Sequence, residues 1–205
     1  MGTSGTSLFV KVCGLRTERD VDTAVEAGAD AIGFVFAESP RRIDAATARR
    51  LAERVPEGIL TVGVFRNQPI EDVRELLEAT GMRAMQLHGD EDLAFYDALR
   101  PAGRTLIRGV AVRGEVPRHG ERGEDILLLD APVPGAGEVW DHSGKRLPEP
   151  GQAWLLAGGL DPRNVAGAVR AVRPWGVDVS SGIEVSRGVK SPDLIESFIR
   201  AARGA

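Results

Sequence analysis

The sequence predicts an α/β protein whose eight parallel strands close into a compact (β/α)8 TIM barrel, with its fifth and sixth helices weak or abbreviated. Three observations predict it. Apolar runs of strand length alternate with amphipathic segments of helical period, the alternation recurs about every 25 residues, and eight such runs fit in the 205 residues. Barrels of this kind typically take about 250 residues, so some connections must be short. An open doubly wound sheet is the competing architecture, because periodicity alone does not show closure.

The first run, Leu8 to Cys13, is broken by Gly14. Thr17-Glu18-Arg19-Asp20 resembles a capping box, and Val21, Ala24 and Val25 follow at helical spacing until Gly28. Ala31 to Phe36 is apolar enough for a strand buried on both faces, and Asp44 then caps a helix carrying Ala48, Leu51, Ala52 and Val55, stopped by Pro56. Ile59 to Phe65 is the third strand, and Pro69 at a first helical position leads to Ile70, Val73, Leu76 and Leu77 before Gly81. Ala84 to Leu87 is a short fourth strand, followed by a helix opening near Asp90 with Leu93, Tyr96 and Leu99. Thr105 to Val112 is the fifth strand. Gly114, Pro117, Gly120 and Gly123 leave room for at most a turn or two of helix before the sixth strand, Ile126 to Asp130. A Pro/Gly-rich stretch then runs through Gly151, and the seventh strand is Ala153 to Ala157. Asp161-Pro162 is expected to cap and start a helix with Val165, Ala168, Val169 and Val172; Gly176 to Val179 is the eighth strand, and Ser191-Pro192 starts a last helix with Leu194, Ile195, Phe198 and Ile199.

Residues 1–7 read as a flexible leader and 8–205 as one domain, long enough for a substantial core. A formal net charge of −4 gives no basic field for a nucleic-acid partner. No apolar run approaches the roughly 20 residues that cross a bilayer, so no membrane partner is expected. A lone cysteine cannot form an intramolecular disulfide, which points to the cytoplasm, and the chain is expected to be a monomer.

The chemistry is expected at the carboxyl ends of the strands, where barrel side chains face the substrate. Cys13 ends the first strand and Asp130 the sixth, so a thiol and a carboxyl face each other across the mouth; separately, each is also an ordinary core or turn residue. Leu156-Ala157-Gly158-Gly159-Leu160-Asp161 and Asp178-Val179-Ser180-Ser181-Gly182 follow strands seven and eight, the usual place for a phosphate site, because glycine lets backbone N–H groups approach an anion. The residues expected at the phosphate are Gly158, Gly159, Asp178, Ser180, Ser181 and Gly182; the plainer reading is turn glycines and cap serines. Arg41, after strand two, suits a carboxylate as a bidentate fork, or is a solvated cation. His88 follows strand four and is expected as a lining or structural residue of the substrate pocket. His119 and His142 have no partners at ligand spacing, so no metal site is expected. Gly135-Ala136-Gly137 begins like a dinucleotide fingerprint, but Trp140 stands where its third glycine belongs.

Lys11-Val12-Cys13-Gly14-Leu15, Gly33-Phe34-Val35-Phe36, Ser39-Pro40-Arg41, Gln86-Leu87-His88-Gly89, Leu129-Asp130, Gly158-Gly159-Leu160 and Asp178-Val179-Ser180-Ser181-Gly182-Ile183-Glu184 occur in an order and spacing that resemble the phosphoribosylanthranilate isomerases of tryptophan biosynthesis. The resemblance covers nearly the whole chain. It implies a closed barrel and an Amadori rearrangement of N-(5-phosphoribosyl)anthranilate to 1-(2-carboxyphenylamino)-1-deoxyribulose 5-phosphate. It further implies Asp130 as general acid, Cys13 as general base, Arg41 on the anthranilate carboxylate, backbone N–H groups around Gly159 and Ser181 on the phosphate, and no cofactor, the iminium itself serving as electron sink. Cys13, near pKa ~8.5 when free, then needs a lowered pKa or a small reactive thiolate fraction. Two departures from the family stand out: Gly135 to His142 replaces a glycine-rich loop followed by Phe-Asp-Trp, and Ser191 replaces an aspartate. A related sugar-phosphate isomerase or epimerase, and a barrel that binds without turnover, are the alternatives.

Overall fold

The computed structural model describes residues 7–132 and 144–205. Most of the expected leader and the divergent Gly135 to His142 stretch lie outside the described residues.

Eight parallel strands close in sequence order: β1 (Phe9–Cys13), β2 (Ala31–Val35), β3 (Leu60–Phe65), β4 (Ala84–Leu87), β5 (Thr105–Ala111), β6 (Ile126–Asp130), β7 (Trp154–Leu156) and β8 (Gly176–Val179), with β8 pairing back onto β1. The expected barrel is present, and the open sheet is excluded by that last pairing. Alternation along each strand divides the apolar residues into two sets. One fills the barrel, with Ala31, Val35, Val62, Val64, Ala84, Ile107, Ile126, Leu128 and Leu155; the other packs between barrel and helices, with Val10, Val12, Ile32, Phe34, Leu127, Leu129, Val177 and Val179. Burial on both faces is why these strands read as continuous apolar runs rather than as alternating ones.

The helices outside are α1 (Glu18–Glu26), α2 (Ala45–Ala52), α3 (Ile70–Thr80), α4 (Leu93–Leu99), α5 (Val165–Val172) and α6 (Pro192–Arg203). Thr17 Oγ1 accepts from the Asp20 N–H, Asp44 from Thr47 and Ser191 from Leu194, as their positions suggest. Two starts differ from expectation. The cap of α4 is Asp92 rather than Asp90, accepting from the Phe95 N–H at 2.9 Å. Near Asp161 the helix begins only at Val165, because Asp161 Oδ1 accepts from the N–H groups of Arg163 and Asn164 while Asn164 Oδ1 accepts from that of Asp161, and this reciprocal turn uses the residues that would have formed the first helical turn.

No helix joins β5 to β6. The buried Glu124 carboxylate accepts from the N–H groups of Gly120 and Arg122, and the Arg100 guanidinium donates to the carbonyls of Arg122 and Gly123, so side chains satisfy a backbone that has no helix to do so. After β8 comes a 3-10 turn (Ser181–Ile183), followed by an antiparallel hairpin of β9 (Glu184–Ser186) and β10 (Val189–Lys190), which the sequence did not suggest. No helix among the described residues is long and apolar enough to cross a membrane.

Candidate active site

Cys13 is the last residue of β1, and its thiol faces the barrel interior, 5% exposed. Its register partner on β2 is Gly33, where a Cβ would lie 2.8 Å from Sγ; glycine there makes the room the thiol occupies. Two residues below in the same inward column, Lys11 is fully buried and donates from Nζ to Asp178 Oδ1 of β8 at 2.7 Å. Burial opposes the Lys11 charge, but the Asp178 carboxylate outweighs it and holds the ammonium above its ordinary pKa. For Cys13 burial prevails and pushes the thiol up, although the Lys11 and Lys190 ammonium groups pull the other way. The surroundings of Cys13 in the free protein thus favour the thiol over the thiolate.

Asp130 ends β6, inward-facing like Leu128 and Ile126 before it. Its Oδ1 accepts from the Ala131 N–H at 2.8 Å, and its Oδ2 lies 3.5 Å from Nε2 of His88, the residue after β4. The turn after β7 closes against this carboxyl. Gly158 has φ +88, and a Cβ there would stand 2.4 Å from the Ala131 nitrogen and 2.8 Å from Asp130 Oδ1, so both backbone angle and space require glycine.

Arg41 reaches the same mouth, its Cδ lying over Gly14, but its guanidinium is engaged: Nε and Nη2 donate to the two Glu184 oxygens at 2.6 and 2.9 Å. Glu184 also accepts from Lys190 Nζ and from the Gly188 N–H, which fastens the hairpin over the mouth. Burial raises the Glu184 pKa, but the Arg41, Gly188 and Lys190 hydrogen bonds and the Lys190 charge overcome it and bring it down to about 2. Because the folded value lies below the ordinary 4.5, this carboxylate's stabilisation is complete above about pH 4.5 and is lost as pH falls toward 2. Thermal melts between those limits should show a steeper acid decline for the wild type than for Glu184→Gln; parallel declines would refute the assignment.

The loops after β7 and β8 meet where a phosphate was expected. A Cβ on Gly182 would be 1.9 Å from the Leu160 carbonyl oxygen, so the loop after β8 abuts the loop after β7 at the residue that follows Gly158-Gly159, and within that loop Asn164 Nδ2 donates to the Gly159 carbonyl at 2.8 Å. Ser181 and Gly182 open the 3-10 turn, where helical geometry leaves N–H groups without internal partners. Lys190 Nζ donates to the carbonyl and hydroxyl oxygens of Ser180. The sequence also places Asp178 beside that phosphate. Its carboxylate is committed to Lys11 inside the barrel, and a second anion beside a phosphate would repel it.

Sequence reasoning overlooked Lys11, Glu184 and Lys190. Lys11 and Asp178 did carry a signal, each being a lone charge within a strand buried on both faces, where a charge requires a partner. His119 Nε2 lies 3.2 Å from the Asp125 carbonyl oxygen, and among the described residues no group of His, Cys, Asp and Glu is arranged to hold a metal.

A family model described as N-(5'phosphoribosyl)anthranilate (PRA) isomerase matches residues 10–201. A protein from Desulforudis audaxviator named N-(5'-phosphoribosyl)anthranilate isomerase is 42% identical over 205 residues, covering 96% of this chain and 98% of its own. The crystal structure of TrpF from Jonesia denitrificans superposes with a TM-score of 0.88 at 41% identity, covering 97% and 98% of the two chains. A phosphoribosyl anthranilate isomerase solved in complex with reduced 1-(o-carboxyphenylamino)-1-deoxyribulose 5-phosphate superposes with a TM-score of 0.79 at 33% identity, covering 97% and 100%.

Proposed function

Because the chain belongs to the N-(5'-phosphoribosyl)anthranilate isomerase family, as its match to the family model and its relatives establish, we propose that Cys13 and Asp130 carry out the two proton transfers of that isomerisation. The enzyme converts N-(5'-phosphoribosyl)anthranilate to 1-(2-carboxyphenylamino)-1-deoxyribulose 5-phosphate in tryptophan biosynthesis. Asp130 donates its proton to the ribose ring oxygen, the C1–O bond breaks, and the anilino nitrogen lone pair forms the iminium. The Cys13 thiolate removes the proton from C2, and the electron pair of that C–H bond moves into a C1–C2 double bond as the iminium electrons return to nitrogen. The resulting enolamine gains a proton at C1 and loses one from the C2 hydroxyl to give the ketone.

One observation supports this reading above the rest: the thiol and the carboxyl end β1 and β6, on separate arcs of one barrel, and both are directed inward. The backbone N–H groups of Gly159, Ser181 and Gly182 receive the phosphate, with Gly158 and Ser180 shaping the loops. Arg41 meets the anthranilate carboxylate, with Glu184 fixing one edge of the guanidinium. His88 lines the acid side. The chain acts as a cytoplasmic monomer; among the described residues the large apolar side chains that are exposed are Leu93 and, on the β9–β10 hairpin, Val185 and Val189.

The test is a steady-state assay with freshly prepared phosphoribosylanthranilate, following loss of its fluorescence. Arg41→Lys keeps the charge but loses the fork, and one charge-assisted hydrogen bond is worth about 1.5–3 kcal/mol, so KM should rise about 10- to 100-fold with kcat nearly unchanged. An unaltered KM would remove Arg41 from the substrate site, and binding without fluorescence loss in the wild type would remove the catalytic reading.

A further inference from the structure

Asp130 is part of a short polar chain that the mechanism above leaves unused. Gln86 and His88 lie two residues apart at the end of β4, so both face the barrel interior. The Gln86 amide nitrogen is 3.0 Å from His88 Nδ1, and His88 Nε2 is 3.5 Å from Asp130 Oδ2. The other carboxyl oxygen, Oδ1, is already taken by the Ala131 N–H. The imidazole is seated against Gly109 of β5, where a Cβ would fall 2.6 Å from Nδ1, so the ring has a fixed place. Gln86 is 2% exposed, and two buried atoms have no hydrogen-bond partner among the described residues: Gln86 Oε1 and His88 Nε2.

The unpaired Nε2 faces the acid. A neutral imidazole carries one proton, and the nitrogen that holds it is set by what the other nitrogen touches. If the Gln86 NH2 donates to Nδ1, the ring proton is on Nε2 and points at Asp130 Oδ2. If the amide were turned over, Oε1 would accept from Nδ1–H, and a bare Nε2 lone pair would face a carboxylate, acceptor against acceptor. Of these two neutral-ring arrangements, only the first suits the ionised form of Asp130.

We propose that Gln86 and His88 are positioning residues for Asp130: Gln86 fixes His88 in the Nε2–H form, and His88 holds Oδ2 and stabilises the negative charge that appears there once the proton has passed to the ribose oxygen. This deepens the reading above and rests on Asp130 being the acid. The 3.5 Å separation suits such a role, since hydrogen bonds to catalytic groups are often long without substrate and tighten as charge develops. No proton leaves the imidazole in this scheme; it donates a hydrogen bond and nothing more.

The first measurement is the 15N chemical-shift pattern of the His88 ring in the wild-type protein, free and with the reduced product analogue bound. The Nε2–H form is expected in both, and an Nδ1–H form in either would overturn the proposal. The second is kinetic. His88→Leu and Gln86→Leu should each lower kcat about tenfold, less than the ~10²–10⁴ expected for losing a general acid, with KM little changed. His88→Gln, whose side-chain NH2 lies close to where Nε2 was, should recover most of the lost kcat. Wild-type kcat in His88→Leu, or no recovery in a folded His88→Gln, would overturn the proposal. Should the leucine variants fail to fold, the ring measurement on the wild type still decides. Normal turnover by Asp130→Asn would sink the acid assignment itself, a result distinct from any reading of the His88 tautomer.

Discussion

Asp130→Asn is expected to lower kcat by about 10² or more, the usual scale for removing a general acid, while the barrel stays folded. The substitution is nearly isosteric. The asparagine oxygen can keep the hydrogen bond from the Ala131 N–H that Oδ1 now accepts, so the turn between β6 and the residues after it retains its anchor, and Gly158 finds the same atoms beside it. What is lost is a proton that can be given to the ribose ring oxygen. Steady-state turnover, read beside a circular-dichroism melt, checks the expectation, and turnover within a few-fold of wild type in a folded variant would show that the acid is some other group.

Cys13→Ser should cost at least as much, again about 10² or more, for a different reason. Serine fills nearly the same space beside Gly33, so packing survives, but a hydroxyl does not ionise where a thiol does. Burial pushes the Cys13 thiol above its ordinary pKa, so in the free wild-type enzyme the thiolate is scarce near neutrality. Its kcat/KM should accordingly rise with pH through the neutral and mildly alkaline range. A Cys13→Ser enzyme that kept both its rate and that rise would end the assignment of Cys13 as base.

The parts of the fold that could be read from the sequence are those in which one residue's surroundings repeat along the chain. Ile126-Leu127-Leu128-Leu129 is buried on both faces, and its composition says so without knowledge of its neighbours. The missing helix before it was equally plain from Gly114, Pro117, Gly120 and Gly123. The hairpin of β9 and β10 was not, since its strands are three and two residues long and its valines, Val185 and Val189, are exposed. For the site, strand-end reasoning brought Cys13 and Asp130 to one rim, and both lie at strand ends facing inward; the chemical role of each came only with the family resemblance. Arg41 was anticipated as a fork but not as Glu184's partner, because that contact joins residues 143 positions apart and leaves no local trace.

The ion pair between Lys11 and Asp178 has a consequence for how the molecule is made. It spans the seam between β1 and β8, joining positions 167 residues apart. During synthesis the ammonium emerges with the first barrel strand, whereas its counter-ion emerges only with the eighth. A sheet that rolled up early would have to strip water from an unmatched cation, at a cost of several kcal/mol, on the order of the whole stability of a small domain. Premature rolling is thereby penalised, and the cylinder seals once, when its final stave arrives with the charge that the first has been waiting for.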